Sequence, residues 1–125
     1  MNSRIFPGIA LTSLALALSA IPASAHHGWS GQDKAQFELT GVVESPVSLA
    51  GPHATMKIRA DGKLWDVTLA PSSRTARAGL TEDAIPVGAQ VTVSGHRNSD
   101  ASRFEVKTER VTYNGKLFNV YPDRE

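Results

Sequence analysis

Residues 54–69 read ATMKIRADGKLWDVTL, and this stretch carries the clearest structural pattern of the sequence. Apolar side chains occupy every second position before and after Asp61-Gly62. A period of two is typical of a strand with one buried face. Asp-Gly is favoured in tight turns whose two central residues need positive φ. The stretch therefore predicts a β-hairpin, and its inward-facing residues are Ala54, Met56, Ile58, Ala60, Trp65, Val67 and Leu69.

The same alternation recurs on both sides of this hairpin, at residues 37–43, 91–93 and 104–113. We expect the first strand to end at Ser45-Pro46 and His96 to begin a polar loop after the fourth. In the fifth strand the apolar phase slips by one residue between Val106 and Val111, which predicts a β-bulge. Asn114-Gly115 then predicts a second tight turn, followed by a short sixth strand or tail.

A short helical segment is expected between the third and fourth strands, at residues 72–78. A serine there is the expected N-cap and Gly79 the expected C′ residue. Residues 81–84 are expected to add a further helical turn. Five strands with a helix between strands three and four predict an all-β, OB-like barrel over residues 36–125. A generic five-stranded β-sandwich or another small barrel is the alternative.

The N-terminus has the layout of a secretory signal peptide over residues 1–25. Arg4 precedes an uncharged apolar run at residues 9–18, Pro22 breaks the run, and Ala23-Ser24-Ala25 supplies the small residues of a cleavage site. The run is shorter than the roughly 20 residues that a membrane span needs. We therefore expect export, to the periplasm in a Gram-negative host and to the medium otherwise. A retained anchor is the alternative.

Cleavage after Ala25 would leave a neutral chain with one domain. The full chain of 125 residues has 13 basic and 12 acidic residues, and removing Arg4 leaves 12 of each. This balance argues against nucleic acid as a partner and against membrane binding after cleavage. No cysteine is present, which excludes disulfides and thiolate metal sites. A polar, glycine-rich arm at residues 26–35 is expected to lead into the barrel.

The sequence carries no catalytic motif, and we expect the protein not to be an enzyme. There is no cysteine nucleophile, no Gly-x-Ser-x-Gly and no His-Glu-x-x-His. Ser94-Gly95-His96 places a hydroxyl near an imidazole, but no third group is placed to orient the histidine.

Four histidines form the candidate metal site: His26, His27, His53 and His96. After cleavage, His26 offers a free amine and its own imidazole, and His27 adds a second imidazole. Nitrogen ligands of this kind suit a divalent metal, with Cu(II) first. His53 and His96 fall in the two loops that flank the ligand face of an OB-fold. The plain alternatives are a tolerated pair on a loose arm, a polar strand start and a solvated loop residue.

A metal-free interaction module for a peptide, glycan or partner protein is the competing function. Phe37 and Trp65 fall on the inward phase and are expected in the core. Trp29 lies in the arm, where packing onto the barrel is favoured over a role in a ligand surface.

Seven segments of the sequence together match a known pattern: His26-His27-Gly28-Trp29, Leu39-Thr40-Gly41-Val42-Val43, Gly51-Pro52-His53, Trp65-Asp66-Val67, Arg77-Ala78-Gly79-Leu80, Val87-Gly88 and Val91-Thr92-Val93-Ser94-Gly95. Through these segments the chain resembles an uncharacterised family of small exported bacterial proteins, a domain of unknown function with an OB-like barrel. In the family pattern a Trp-x-Asn precedes the Pro-His, whereas Leu49 and Gly51 stand at those places here. The resemblance implies a fold and a compartment and no activity.

Overall fold

A computed structural model describes residues 28–124 of the protein. These residues form six strands and one short helix. The strands are β1 Phe37–Ser48, β2 His53–Ala60, β3 Lys63–Pro71, β4 Gln90–Arg97, β5 Glu105–Tyr113 and β6 Lys116–Asn119, and the helix is α1 Ser72–Arg77. No helix within this part of the chain is both long and apolar enough to cross a membrane.

Five of the strands close into a barrel. The sheet order is β3-β2-β1-β4-β5-β6, and a parallel pairing between β3 and β5 joins the two sides. The remaining strand, β6, pairs with β5 outside the closed ring. With α1 between β3 and β4, this is the OB-like arrangement that the sequence predicts. The predicted fold class is therefore confirmed.

The β2–β3 hairpin follows the predicted register. Ile58 pairs with Trp65 across the turn, and Asp61 and Gly62 adopt φ values of 52° and 74°. All seven residues of the predicted inward face are buried. Phe37 is only half-buried and stacks on Trp65, with ring centroids 5.6 Å apart.

Strand β1 is longer than predicted, because it continues through Pro46 to Ser48. Register shifts against β2 on both sides of Ser45 let the strand bend past the proline, and Val47 is buried beyond it. Gly41 allows the two strands to lie close together, since a Cβ there would lie 2.6 Å from the Arg59 carbonyl oxygen.

The segment after β3 corrects two local predictions and confirms a third. Pro71, not a serine, is the N-cap of α1, and no side chain caps it. Ser72 instead donates its hydroxyl to the Gly51 carbonyl. Gly79 is the C′ residue with φ 96°, as predicted. Residues 81–84 form a single hydrogen-bonded turn, from the Ala84 N–H to the Thr81 carbonyl, and no helical turn.

The predicted bulge lies in β5 at Glu109. Ser94 pairs with Arg110 and Gly95 pairs with Thr108, so Glu109 has no partner residue on β4. Gly95 is required opposite the bulge, because a Cβ there would clash with the Lys107 carbonyl oxygen. The Glu109 carbonyl accepts hydrogen bonds from the backbone N–H groups of Val120 and Tyr121. The bulge thus joins the barrel to the C-terminal tail.

Candidate functional site

The described part of the N-terminal segment docks along the end of β4. Gln32 forms a bridge with Asn98, and the Asp33 N–H donates to the Arg97 carbonyl at 2.8 Å. The Ser99 N–H donates to the Gly31 carbonyl at 2.9 Å. These backbone contacts fix the position of Trp29 on the outside of the barrel.

Trp29 packs onto the barrel between aromatic and basic side chains, which confirms the packing interpretation. Its ring meets His96 and Tyr121 edge to face, with centroids 5.6 and 5.2 Å away. The Arg124 guanidinium lies 3.9 Å and the Lys107 ammonium 5.3 Å from the indole centroid. Trp29 therefore lies between two polar grooves. His96 and Arg124 line one of them, and Lys107 and Tyr121 line the other.

The first, called the Glu109 groove, surrounds a buried carboxylate at the bulge. Only 2% of the Glu109 side chain is exposed, and it is fully engaged. Gln36 Nε2 donates to Oε1 at 3.0 Å, and Arg124 Nε donates to Oε2 at 3.1 Å. Arg110 Nη1 lies 3.8 Å from Oε1. The groove is lined by Lys34, Gln36, Ser94, His96, Glu109, Arg110, Asp123 and Arg124.

His96 belongs to this groove and lies within β4, which corrects the prediction that it begins a polar loop. Its side chain is 12% exposed, so it is not a solvated residue. Nδ1 lies 2.9 Å from the Asp33 carbonyl oxygen and must donate, since a carbonyl oxygen only accepts. Nε2 then faces the Glu109 carboxylate, 3.6 Å away. The imidazole therefore lies between the arm and the bulge, with one hydrogen bond to the arm.

The second, called the His53 groove, lies where the N-terminal segment meets β2, β5 and α1. The loop before His53 is anchored to the start of α1, because the Ser72 N–H donates to the Pro52 carbonyl at 3.1 Å. Burial and the nearby Lys107 ammonium lower the pKa of His53. The groove is lined by Gly28, Trp29, His53, Pro71, Ser73, Arg74, Arg77, Lys107 and Tyr121, and no carboxylate is among them.

Lys107 is the most deeply placed charge of the His53 groove, with 8% of its surface exposed. Within residues 28–124, no carboxylate forms an ion pair with it. Burial lowers the pKa of the Lys107 ammonium, and Glu105 opposes this effect from a distance. The groove thus holds the ammonium group of a largely buried side chain, and no described acidic side chain pairs with it.

Two of the four predicted metal ligands, His26 and His27, lie outside the described residues. His53 and His96 line different grooves, so the described part of the chain does not bring them together. No group of three or more histidine and acidic residues within residues 28–124 could hold a metal ion. Gly28, the neighbour of His27, lines the His53 groove. The four-histidine site stays a prediction.

Sequence reasoning missed Lys107 and Glu109, which dominate the two grooves. Both are charged residues between two apolar, inward-facing positions of β5, Val106 and Val111. The predicted bulge was the available signal, because bulges redirect side chains and are frequent beside functional sites.

The model of a family of unknown function, DUF6152, matches residues 14–107. The chain belongs to this family. No curated protein matches this DUF6152 chain.

Solved structures with similar backbones show the fold alone. The ZRD-deleted mutant of TiaS in complex with agmatine is 13% identical with a TM-score of 0.50, over 68% of this chain and 26% of that chain. TiaS in complex with a tRNA, AMPCPP and agmatine is 16% identical with a TM-score of 0.46, over 62% of this chain and 18% of that one. The S. pombe Stn1–Ten1 complex is 16% identical with a TM-score of 0.48, over 65% of this chain and 59% of that one. The DUF6152 chain therefore spans less than two thirds of the length of each of these structures.

Proposed function

We propose that this DUF6152 protein is an exported binding protein without catalytic activity, and that its ligand is held in the His53 groove or at the edge of that groove. One observation carries the proposal: three distant segments meet there, the N-terminal segment at Gly28 and Trp29, β2 at His53, and β5 at Lys107. Concave sites with a few converging polar groups are where small ligands bind. His53 also follows the β1–β2 loop, which borders the ligand surface in OB-folds.

The side chains of the Glu109 groove support the absence of catalysis. Ser94 Oγ lies 2.9 Å from Gln36 Nε2 and accepts its hydrogen bond. His96 directs one ring nitrogen to the Asp33 carbonyl and the other to Glu109. No hydrogen bond within residues 28–124 joins the Ser94 hydroxyl to His96, whereas a hydrolytic triad needs the imidazole within hydrogen-bond reach of the serine.

Cu(II) is the first candidate ligand, bound by the N-terminal amine and imidazole of His26 together with His27. His26 is two residues from Gly28, a reach of about 7 Å in extended chain, so the chelate can lie at the edge of the His53 groove. The lowered pKa of His53 favours its neutral form, which is the form that binds metals. His96 supports the chelate indirectly through its edge contact with Trp29.

A metal-free interaction module is the second candidate, and the charge of the groove favours it. Arg74, Arg77 and Lys107 line the groove without a carboxylate. Like charges repel strongly where water is excluded, which opposes a divalent cation deep in the groove. Copper is therefore proposed only for the N-terminal segment at the edge, and the groove itself suits an anion.

Export is tested by intact-mass measurement of the protein recovered from its native host. We expect a mature chain that begins at His26, because Ala23-Ser24-Ala25 completes the cleavage signal. A mass that corresponds to the uncleaved chain, or to another first residue, contradicts both export at this site and the free-amine chelate.

Copper binding is tested by nuclear magnetic resonance of the mature protein during Cu(II) titration, since the paramagnetic ion broadens nearby signals. We expect the amides of Gly28, Trp29 and His53 to broaden at one equivalent, and the Asp61-Gly62 turn at the far end of β2 to stay sharp. Binding should weaken below about pH 6, where imidazoles take up protons.

The matched control is the same protein with one additional Met before His26, which separates the amine from the His26 imidazole. Equal broadening in this control contradicts the chelate. His53→Ala and His96→Ala then show whether the barrel contributes a ligand or only support.

A further inference from the structure

Charge is unevenly distributed around Trp29. The whole chain is nearly balanced, with 13 basic and 12 acidic residues. The Glu109 groove contains both signs, whereas the His53 groove contains only basic and neutral side chains. An electropositive concavity on a nearly neutral protein attracts anions to one place.

The deepest of these charges belongs to Lys107, whose side chain is largely buried. Partial burial removes some of the hydration of an ammonium group, and a nearby anion compensates for that loss. The Lys107 alkyl chain and ammonium lie against Gly28 and Trp29, with Nζ 3.1 Å from the position that a Gly28 Cβ would take. An anion in the groove would supply the missing partner.

Two arginines from α1 face the same space. Arg77 forms no ion pair with any acidic side chain of residues 28–124. Arg74 has one long pair, 3.8 Å to Asp123, whose carboxylate is 73% exposed. The Arg74 guanidinium also lies 5.4 Å from the Tyr121 ring centroid, which restricts its orientation. Guanidinium groups match the planar oxygen pairs of phosphate and carboxylate.

We infer that the His53 groove binds a small oxyanion, the phosphate or carboxylate group of a ligand, between Lys107 and the two arginines of α1. His53 and Ser73 line the same space and can add hydrogen bonds. Trp29 and Tyr121 form its apolar walls and reduce the local dielectric, which strengthens each charge contact. This inference rests on the proposed role of the groove as the ligand site and does not depend on copper.

The test is titration of the full mature protein with inorganic phosphate at constant ionic strength, followed by amide chemical shifts. We expect saturable shifts at Gly28, Trp29, His53 and Lys107, and unchanged shifts at the Asp61-Gly62 turn. Binding should weaken as sodium chloride is added, because salt screens charges over about 8 Å at physiological strength. Shifts that never saturate, or that map elsewhere, overturn the inference.

Three variants make the test specific. Arg77→Gln changes an exposed side chain and leaves folding intact, and Lys107→Gln removes the buried charge. Each should weaken phosphate binding about tenfold, the usual loss for one charge-assisted hydrogen bond. Lys57→Gln, on the exposed face of β2 beside Asp66, is the matched control and should bind normally. Equal weakening in all three variants indicates general charge attraction and overturns the site.

The remaining arms identify the source of the anion and separate this inference from the proposed function. Acetate in place of phosphate tests carboxylates, and cosedimentation with phosphatidylglycerol but not phosphatidylcholine vesicles would assign the phosphate to a lipid headgroup. Broadening of Gly28 and His53 by Cu(II), with no phosphate or acetate binding, overturns the oxyanion site and leaves the binding role standing. Failure of all three ligands contradicts both.

Discussion

The two grooves beside Trp29 use similar basic side chains in opposite ways. In the Glu109 groove, Arg124, Arg110 and His96 converge on one carboxylate that is 2% exposed. In the His53 groove, Lys107 is nearly as buried, and no described acidic side chain pairs with it. The first arrangement is complete within the chain, whereas the second lacks its negative partner.

This difference distinguishes charges that hold the fold together from charges that are available to a ligand. A satisfied buried network holds segments together, and here it joins β5, the N-terminal segment through Gln36, and the tail through Arg124. A partly desolvated charge without an acidic partner lowers stability unless something binds to it, and such groups concentrate at ligand sites. Four stability measurements test this contrast between the grooves.

The largest effect is expected from the barrel interior, because both grooves are built on it. Ile58 is fully buried, and Ile58→Ala should lower the free energy of unfolding by about 3–4 kcal/mol. Lys57→Ala, one residue away on the exposed face, should change it little. Chemical denaturation of both variants measures the difference, and equal losses would contradict the strand register.

The next largest loss of stability is expected from removing the carboxylate charge of the Glu109 groove. Glu109→Gln keeps the shape but leaves Arg124, Arg110 and His96 without a carboxylate, and should cost about 2 kcal/mol. The partly exposed guanidinium of Arg124 keeps the loss below that of a fully buried pair. Glu38→Gln, on the exposed face of β1, is the control. A change no larger than in this control would show that the network is not stabilising.

In the His53 groove, removal of a charge should instead raise the free energy of unfolding. Lys107→Met removes a partly desolvated ammonium and keeps an unbranched chain against Trp29, so stability at pH 7 should rise by up to about 1 kcal/mol. The pKa of Lys107 is lower in the folded protein than the 10.5 of the unfolded chain. The charge therefore destabilises the folded protein fully below the folded-state pKa, and this cost disappears as the pH rises to 10.5. The gain should therefore shrink as the pH approaches 10.5. A loss of stability at pH 7 would mean that Lys107 has a stabilising partner.

The smallest effect is a pH slope from His53. Burial and Lys107 lower its pKa below 6.5, so folding favours the neutral imidazole. Its contribution is complete above pH 6.5 and is lost as the pH falls through the folded-state pKa. Because His53 is exposed, screening keeps the effect to a few tenths of a kcal/mol. His53→Gln should flatten the unfolding free energy between pH 7 and 5, whereas an unchanged slope would assign it to other groups.

The sequence determined the barrel of this DUF6152 protein because strand signals are local. Alternation in residues 54–69 located the hairpin and its buried face, and Asp61-Gly62 located the turn. The phase slip between Val106 and Val111 located the bulge. The sequence alone could not show that β1 continues past Pro46, because the shifted pairing that accommodates the proline depends on β2.

The tertiary structure alone decided which charges are paired. Glu109 meets Arg124 across 15 positions of chain and Gln36 across 73, and no local pattern encodes such encounters. The sequence predicted that His53 and His96 lie in one site. In the structure, His96 contacts the Asp33 carbonyl and Glu109, whereas His53 lies near Lys107. Side-chain periodicity fixes the face of a strand on which a residue lies. The charges that it meets there depend on which distant segments pack over that face.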